Sequence, residues 1–146
     1  MELYRNYYTF VSWSEGNNFN ALNHWVEGFS PELDFPRLAA ARIESRFLSA
    51  TPFPDDEYGA FFETLIRTAS DARWTGAVKE ENFWLLRRAV SQESGNFEFF
   101  ILVTISKSAF ALQLEDVFRN VRPNPPPTRD QVNAANRVRS RFYEGF

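Results

Sequence analysis

The sequence predicts an α+β fold: a small, mainly antiparallel sheet covered by several helices, followed by a Pro-rich spacer and a C-terminal amphipathic helix. Three observations carry that expectation. Residues 3–13 and 97–105 are dense in β-branched and aromatic side chains, the composition of strands. The long stretch between them is mainly helical in its apolar spacing, which argues against a sandwich or a barrel. The run Arg122-Pro-Asn-Pro-Pro-Pro-Thr128 can neither continue a helix nor enter a central strand, because proline lacks an N–H and holds φ fixed.

The elements follow in order. Tyr4, Tyr7, Tyr8, Thr9, Phe10, Val11 and Trp13 make the first strand, and Ser14-Glu-Gly-Asn-Asn18 a turn. Asn17 or Asn18 caps a short helix reaching Glu27, with Phe19, Leu22, Val26 and Phe29 on one face and Gly28 just past its end. Ser30-Pro31 breaks the chain. A second helix is expected from Asp34 to Ser49, with Ala40, Ile43 and Phe47 as its stripe. After Thr51-Pro-Phe-Pro54 a third helix runs to Ser70. Asp55, Asp56 and Glu57 lie in its first turn, and Tyr58, Phe61, Phe62, Leu65 and Ile66 on its inner side. Residues 71–78, with Trp74 and Gly76, read as a loop or a loop with a short strand. A fourth helix is expected over 79–92, because Phe83, Leu86 and Val90 align, and Gly95 marks its end.

Residues 97–105 form the clearest strand. Phe97, Phe99, Ile101, Val103 and Ile105 point one way and Phe100 and Leu102 the other, so its centre should be covered on both faces. Residues 109–121 fit a helix with Phe110, Leu114, Val117 and Val121 inward, and also a strand hairpinned through Ser106-Lys107-Ser108. Leu, Gln, Glu and Ala favour the helix. Thr128-Arg-Asp-Gln131 is a capping-box pattern directly after the prolines. From there Val132, Ala135, Val138 and Phe142 fall on one side of a helical wheel and Arg129, Arg137 and Arg141 on the other, with Arg139 at the apolar edge. The organisation expected is therefore an acidic, aromatic-rich body over 1–121, a spacer over 122–128 and a basic helix over 129–146. As polyproline, the spacer would reach roughly 20 Å at ~3.1 Å per residue.

Charge divides along the same line. Residues 1–118 hold ten Lys or Arg against seventeen Asp or Glu, a balance of −7; residues 119–146 hold six Arg against two acids, a balance of +4. The body is thus a poor general binder of nucleic acid, whose phosphates it would repel. There is no cysteine, which excludes disulfides, thiolate nucleophiles, Cys-ligated zinc and iron–sulfur clusters. The N-terminal residues lack a basic start and an apolar stretch, and no apolar run approaches the roughly 20 residues of a membrane span. A soluble, cytoplasmic protein is expected.

No constellation of catalytic residues stands out. His24 is the only histidine, with no nucleophile or orienting acid at a telling spacing. Asp55-Asp56-Glu57 and Glu80-Glu81 are explained as complements of helix dipoles, and Glu115-Asp116 has no fixed distance to either. The glycines are scattered, so a phosphate-binding loop is absent, as is a nucleophile elbow. No cofactor and no metal are expected.

The leading expectation is a non-enzymatic interaction module: an adaptor, assembly factor or inhibitor that occupies a partner's surface. An aromatic surface and the C-terminal helix would serve it. Val132, Val138, Phe142, Tyr143 and Phe146 would supply apolar burial, and Arg137, Arg139 and Arg141 would pair with an acidic protein surface. Two alternatives stand beside it. One is an enzyme or small-molecule binder with an aromatic-lined pocket, drawing on His24, Tyr58 and Glu63. The other is RNA or DNA binding through the C-terminal arginines with Arg87 and Arg88, which lie beside Trp84. A homo-oligomer built by exchange of the tail is also compatible with the charge division, and no membrane partner is expected.

Overall fold

A computed structural model describes residues 5–50, 56–88, 95–121, 126, 128–130, 132, 133, 136 and 140. It has the α+β architecture: a three-stranded antiparallel sheet with helices. The elements are β1 (Tyr7–Gly16), α1 (Phe19–Gly28), α2 (Pro31–Ala50), α3 (Asp56–Asp71), β2 (Val78–Arg87), β3 (Asn96–Ser106) and α4 (Lys107–Asn120). The chain divides into two compact units, Met1–Phe35 with Thr75–Phe110, and Pro36–Trp74 with Ala111–Phe146.

The first unit holds the sheet, in the order β1-β3-β2. Strand β3 is central because it carries the densest apolar sequence, but the cover expected on both of its faces is found on one only. Phe99, Ile101, Val103 and Ile105 are buried, and Leu102 and Phe100 half-buried. β1 pairs with β3 through Phe10↔Val103 and Ser12↔Ile101, and runs on to Gly16↔Phe97. The expected turn at 14–18 is therefore shorter: Ser14, Glu15 and Gly16 stay in the ladder because β3 offers partners to its end. The side chains on one face, Tyr8, Phe10, Phe99, Ile101, Val103 and Ile105, form a buried layer. Phe10 meets Phe35 edge-on at 5.0 Å between ring centroids and Phe110 at 5.7 Å.

Helix α1 packs on that face. Asn18 caps it as expected, its side-chain oxygen accepting from the Ala21 N–H at 3.1 Å. Leu22 and Val26 are buried, and Phe19 meets Trp84, Phe97 and Phe99 edge-on at 5.1–5.4 Å. The Lys79 ammonium donates to the Val26 carbonyl near the helix end at 2.7 Å, tying β2 to α1.

Helix α2 begins at Pro31 rather than Asp34. Pro31 occupies the first helical position, where a missing N–H costs nothing, and the Asp34 carboxylate accepts from the Ser30 N–H at 2.7 Å. Pro36 then sits inside the helix. Residue 32, whose carbonyl loses its partner, is exposed and can hydrogen-bond water.

The clearest departure from the sequence reading is β2. Residues 78–87 are a strand, not the expected helix. The segment Phe83-Trp-Leu-Leu86 satisfies either period, and cross-strand pairing with β3 decides, through Phe83↔Phe100, Trp84↔Phe99 and Leu86↔Phe97. Conversely, the ambiguity over 109–121 resolves as helix. α4 starts directly from β3, with the Ser106 hydroxyl accepting from the Ala109 N–H at 3.2 Å.

The second unit is helical. Among the described residues, Ala39, Ala40 and Ile43 of α2, Phe62, Leu65 and Ala69 of α3, Trp74, Leu114 and Val117 of α4, and Val121 are its buried apolar residues. The Trp74 indole N–H is satisfied by the Ala69 carbonyl at 2.9 Å. Beyond Val121, residues 129, 130, 132, 133, 136 and 140 are helical, and the Val132 N–H donates to the Thr128 carbonyl at 3.0 Å. Residues 122–125 and 127 of the expected spacer lie outside the described residues. Among the described residues no helix is long and apolar enough to cross a membrane.

Candidate interaction surface

Alternation along the strands gives the sheet two unlike faces. The register that sends Phe10, Ile101 and Val103 inward sends Tyr7, Val11 and Trp13 of β1, Phe100 and Leu102 of β3, and Phe83 and Leu85 of β2 to the other face. There the apolar side chains are exposed: Val11 by 55%, Trp13 by 50%, Phe83 by 51% and Leu85 by 46%. Phe83 stacks on Phe100 at the centre of this face, with 4.8 Å between centroids and 13° between planes. With Tyr7 and Val78 the apolar surface is on the order of 500 Å², at the upper end of what monomeric soluble proteins leave open.

Carboxylates border this face. Glu15 and Leu85 both lie opposite Glu98, and Glu81 lies opposite Leu102. Glu80 reaches the same face at the irregularity between Lys79 and Glu81, where the Thr104 hydroxyl donates to it at 2.7 Å. Asn96 donates to Glu15 at 3.1 Å, and Arg87 forms an ion pair with Glu98. Among the described residues, Glu15, Glu80 and Glu81 are thus exposed carboxylates along this border, while Glu98 is neutralised by Arg87.

Strand β2 is an edge of the sheet, and among the described residues no strand pairs with its outer side. Its apolar residues are half-exposed on both faces: Phe83 and Leu85 on the open one, Trp84 and Leu86 on the α1 side. Acids precede this apolar centre, Glu80 and Glu81, and bases end it, Arg87 and Arg88. Gly95 lets β3 begin beside this strand: a Cβ there would strike the Leu86 side chain and lie 3.0 Å from the Arg87 carbonyl oxygen.

The residues singled out from sequence have mixed placements. Val132 is exposed, and Arg137, Val138, Arg139, Arg141, Phe142, Tyr143 and Phe146 lie outside the described residues. His24 is exposed on α1, 3.8 Å from Glu27, and Glu63 is exposed on α3. The side chains of Asp56, Glu57 and Tyr58 are outside the described set, as is Asp55. Asp116 pairs with Arg119 at 3.4 Å and, with Thr68, Asp71, Arg73, Trp74 and Gln113, lines a cleft of about 500 Å³ in the helical unit. Among the described residues no group of His, Asp and Glu is arranged to hold a metal. Burial raises the Tyr8 phenol above its ordinary pKa, and burial together with neighbouring Arg46 lowers Arg42.

The sequence reading missed Phe83 and Leu85 as members of a sheet face, because it placed them on a helix. The only hint in the sequence was the shortness of the apolar run, four residues between Glu-Glu-Asn and Arg-Arg, which is compatible with a strand without excluding a helix. No family model, curated protein or solved structure matches the chain.

Proposed function

We propose that this protein is a non-enzymatic interaction module, an adaptor, assembly factor or inhibitor, whose main docking surface is the open face of the sheet. The observation that carries this reading is the apolar patch of Val11, Trp13, Phe83 and Leu85, about half-exposed and bordered by Glu15, Glu80, Glu81 and Glu98. A surface of this composition suits a protein partner presenting an apolar segment flanked by Lys or Arg. The apolar centre excludes water and supplies affinity, while the carboxylates orient the partner and speed encounter. The basic C-terminal segment, with Arg137, Arg139 and Arg141 beside Val132, Val138, Phe142, Tyr143 and Phe146, is a second contact suited to an acidic surface of the same partner.

The test is quantitative co-purification from the native host. Full-length protein is compared with Val11→Ser/Trp13→Ser, with a 1–121 chain and with Leu112→Ser, a control at an exposed leucine on α4. The expected result is a partner retained by the control, lost by the sheet-face variant and weakened by the truncation. A partner bound equally by all four removes the reading.

A further inference from the structure

We infer that β2 is a self-association strand, pairing antiparallel with β2 of a second copy about a two-fold axis at Trp84 to give one continuous six-stranded sheet. This inference rests on the edge of the sheet and stands apart from the docking reading above. Its first support is topological. β2 is ten residues long, ends the sheet, and among the described residues has no partner on its outer side. Proteins usually blunt such an edge with proline or with charge in its middle. Here Asn82 to Leu86 hold neither, and the apolar residues are half-exposed on both faces.

The second support is charge complementarity. Residues directly opposite in an antiparallel pair share a face, so only pairings of equal parity keep Phe83 and Leu85 with their like. Centring the pair on Trp84 sets Glu81 opposite Arg87 of the second copy, Phe83 opposite its Leu85, and Asn82 opposite its Leu86. The same contacts repeat by symmetry, as an isologous interface requires. Glu80 falls opposite Arg88. Shifting the register by two residues sets Glu81 against leucine and Arg87 against Lys79 in one direction, and Phe83 against Arg87 in the other. A parallel arrangement brings Glu80 and Glu81 beside their own copies. The Trp84-centred register alone pairs opposite charges at both ends of the apolar centre.

The structure leaves these groups able to act. The Arg87 side chain is 71% exposed although its Nε holds Glu98, so the guanidinium remains accessible to a second copy. Glu81 and Arg88 are exposed. Pairing would also double the open face, joining the two patches of Phe83 and Leu85 side by side.

The full chain is tested by sedimentation equilibrium. A dimer mass that dissociates as salt rises is expected, and a monomer mass at every concentration overturns the proposal. Glu81→Arg and Arg87→Glu each place like charges opposite one another and should weaken self-association about tenfold. Mixing the two variants restores opposite pairs at both ends and should restore the dimer. Far-ultraviolet circular dichroism confirms that each variant is folded, and a mixture that stays monomeric although both fold overturns the register. Because the chain has no cysteine, Trp84→Cys should form a disulfide-linked dimer on oxidation, whereas Asn82→Cys, which faces Leu86, should not. Equal cross-linking at both sites, or none at 84, refutes the two-fold axis.

Discussion

Two neighbours on β1 should respond in opposite ways to truncation. Phe10 is 2% exposed and touches Phe35 and Phe110, at 5.0 Å and 5.7 Å between centroids. Phe10→Ala removes a buried ring and leaves a cavity, a loss of about 3–5 kcal/mol, to which the two ring contacts contribute roughly 0.5–1.5 kcal/mol each. For a chain of this size that lowers Tm by about 10–20 °C. Val11, one residue on, points to the other face and is 55% exposed. Val11→Ser should change stability by no more than about 0.5 kcal/mol. The assay is urea unfolding of both variants beside the parent, followed by tryptophan fluorescence and by far-ultraviolet circular dichroism. If Val11→Ser destabilises as much as Phe10→Ala, the outer face is covered in the folded chain. The alternation argument then fails, and the proposed docking surface fails with it.

Other outcomes follow from the same contacts. Tyr8 holds its proton more tightly when folded than when unfolded, because burial raises its pKa. Its contribution is therefore complete below the unfolded value of about 10 and is lost as pH rises through the folded one. Thermal unfolding between pH 8 and 11.5 should show a shallower alkaline decline for Tyr8→Phe than for the parent. Gly95→Ala forces a Cβ against the Leu86 side chain and the Arg87 carbonyl, which should cost about 1–3 kcal/mol and loosen β2. Hydrogen exchange should then speed up at residues 84–87 before it does at 101–105, and uniform protection would contradict the close approach of β2 and β3.

Some of this architecture is legible in the chain itself. The cap at Asn18, the helical stripe of Leu22 and Val26, the alternation from Phe97 to Ile105 and the inward set Phe110, Leu114 and Val117 are local signals, each acting within a turn or a strand. They identify α1, β3 and the α+β class, and favour a helix over a strand at α4. Pro31 was less informative, because a proline that breaks one segment can equally open the next, as it does in α2.

The residues of the candidate surface depended on more. Phe83, Trp84, Leu85 and Leu86 are compatible with helix or strand, and only the ladder to β3 makes them a strand and settles which face each one joins. Likewise, Val11 and Trp13 show their alternation in sequence, but their exposure is a property of what packs on each side of the sheet. By itself the sequence determined the helix caps, the central strand, the lack of cysteine chemistry and the uneven charge, because these depend on residue type and near neighbours. Tertiary structure alone decided the identity of β2, the acidic border and the open apolar face. Those depend on hydrogen bonds and burial between residues far apart in the chain, which local periodicity does not encode.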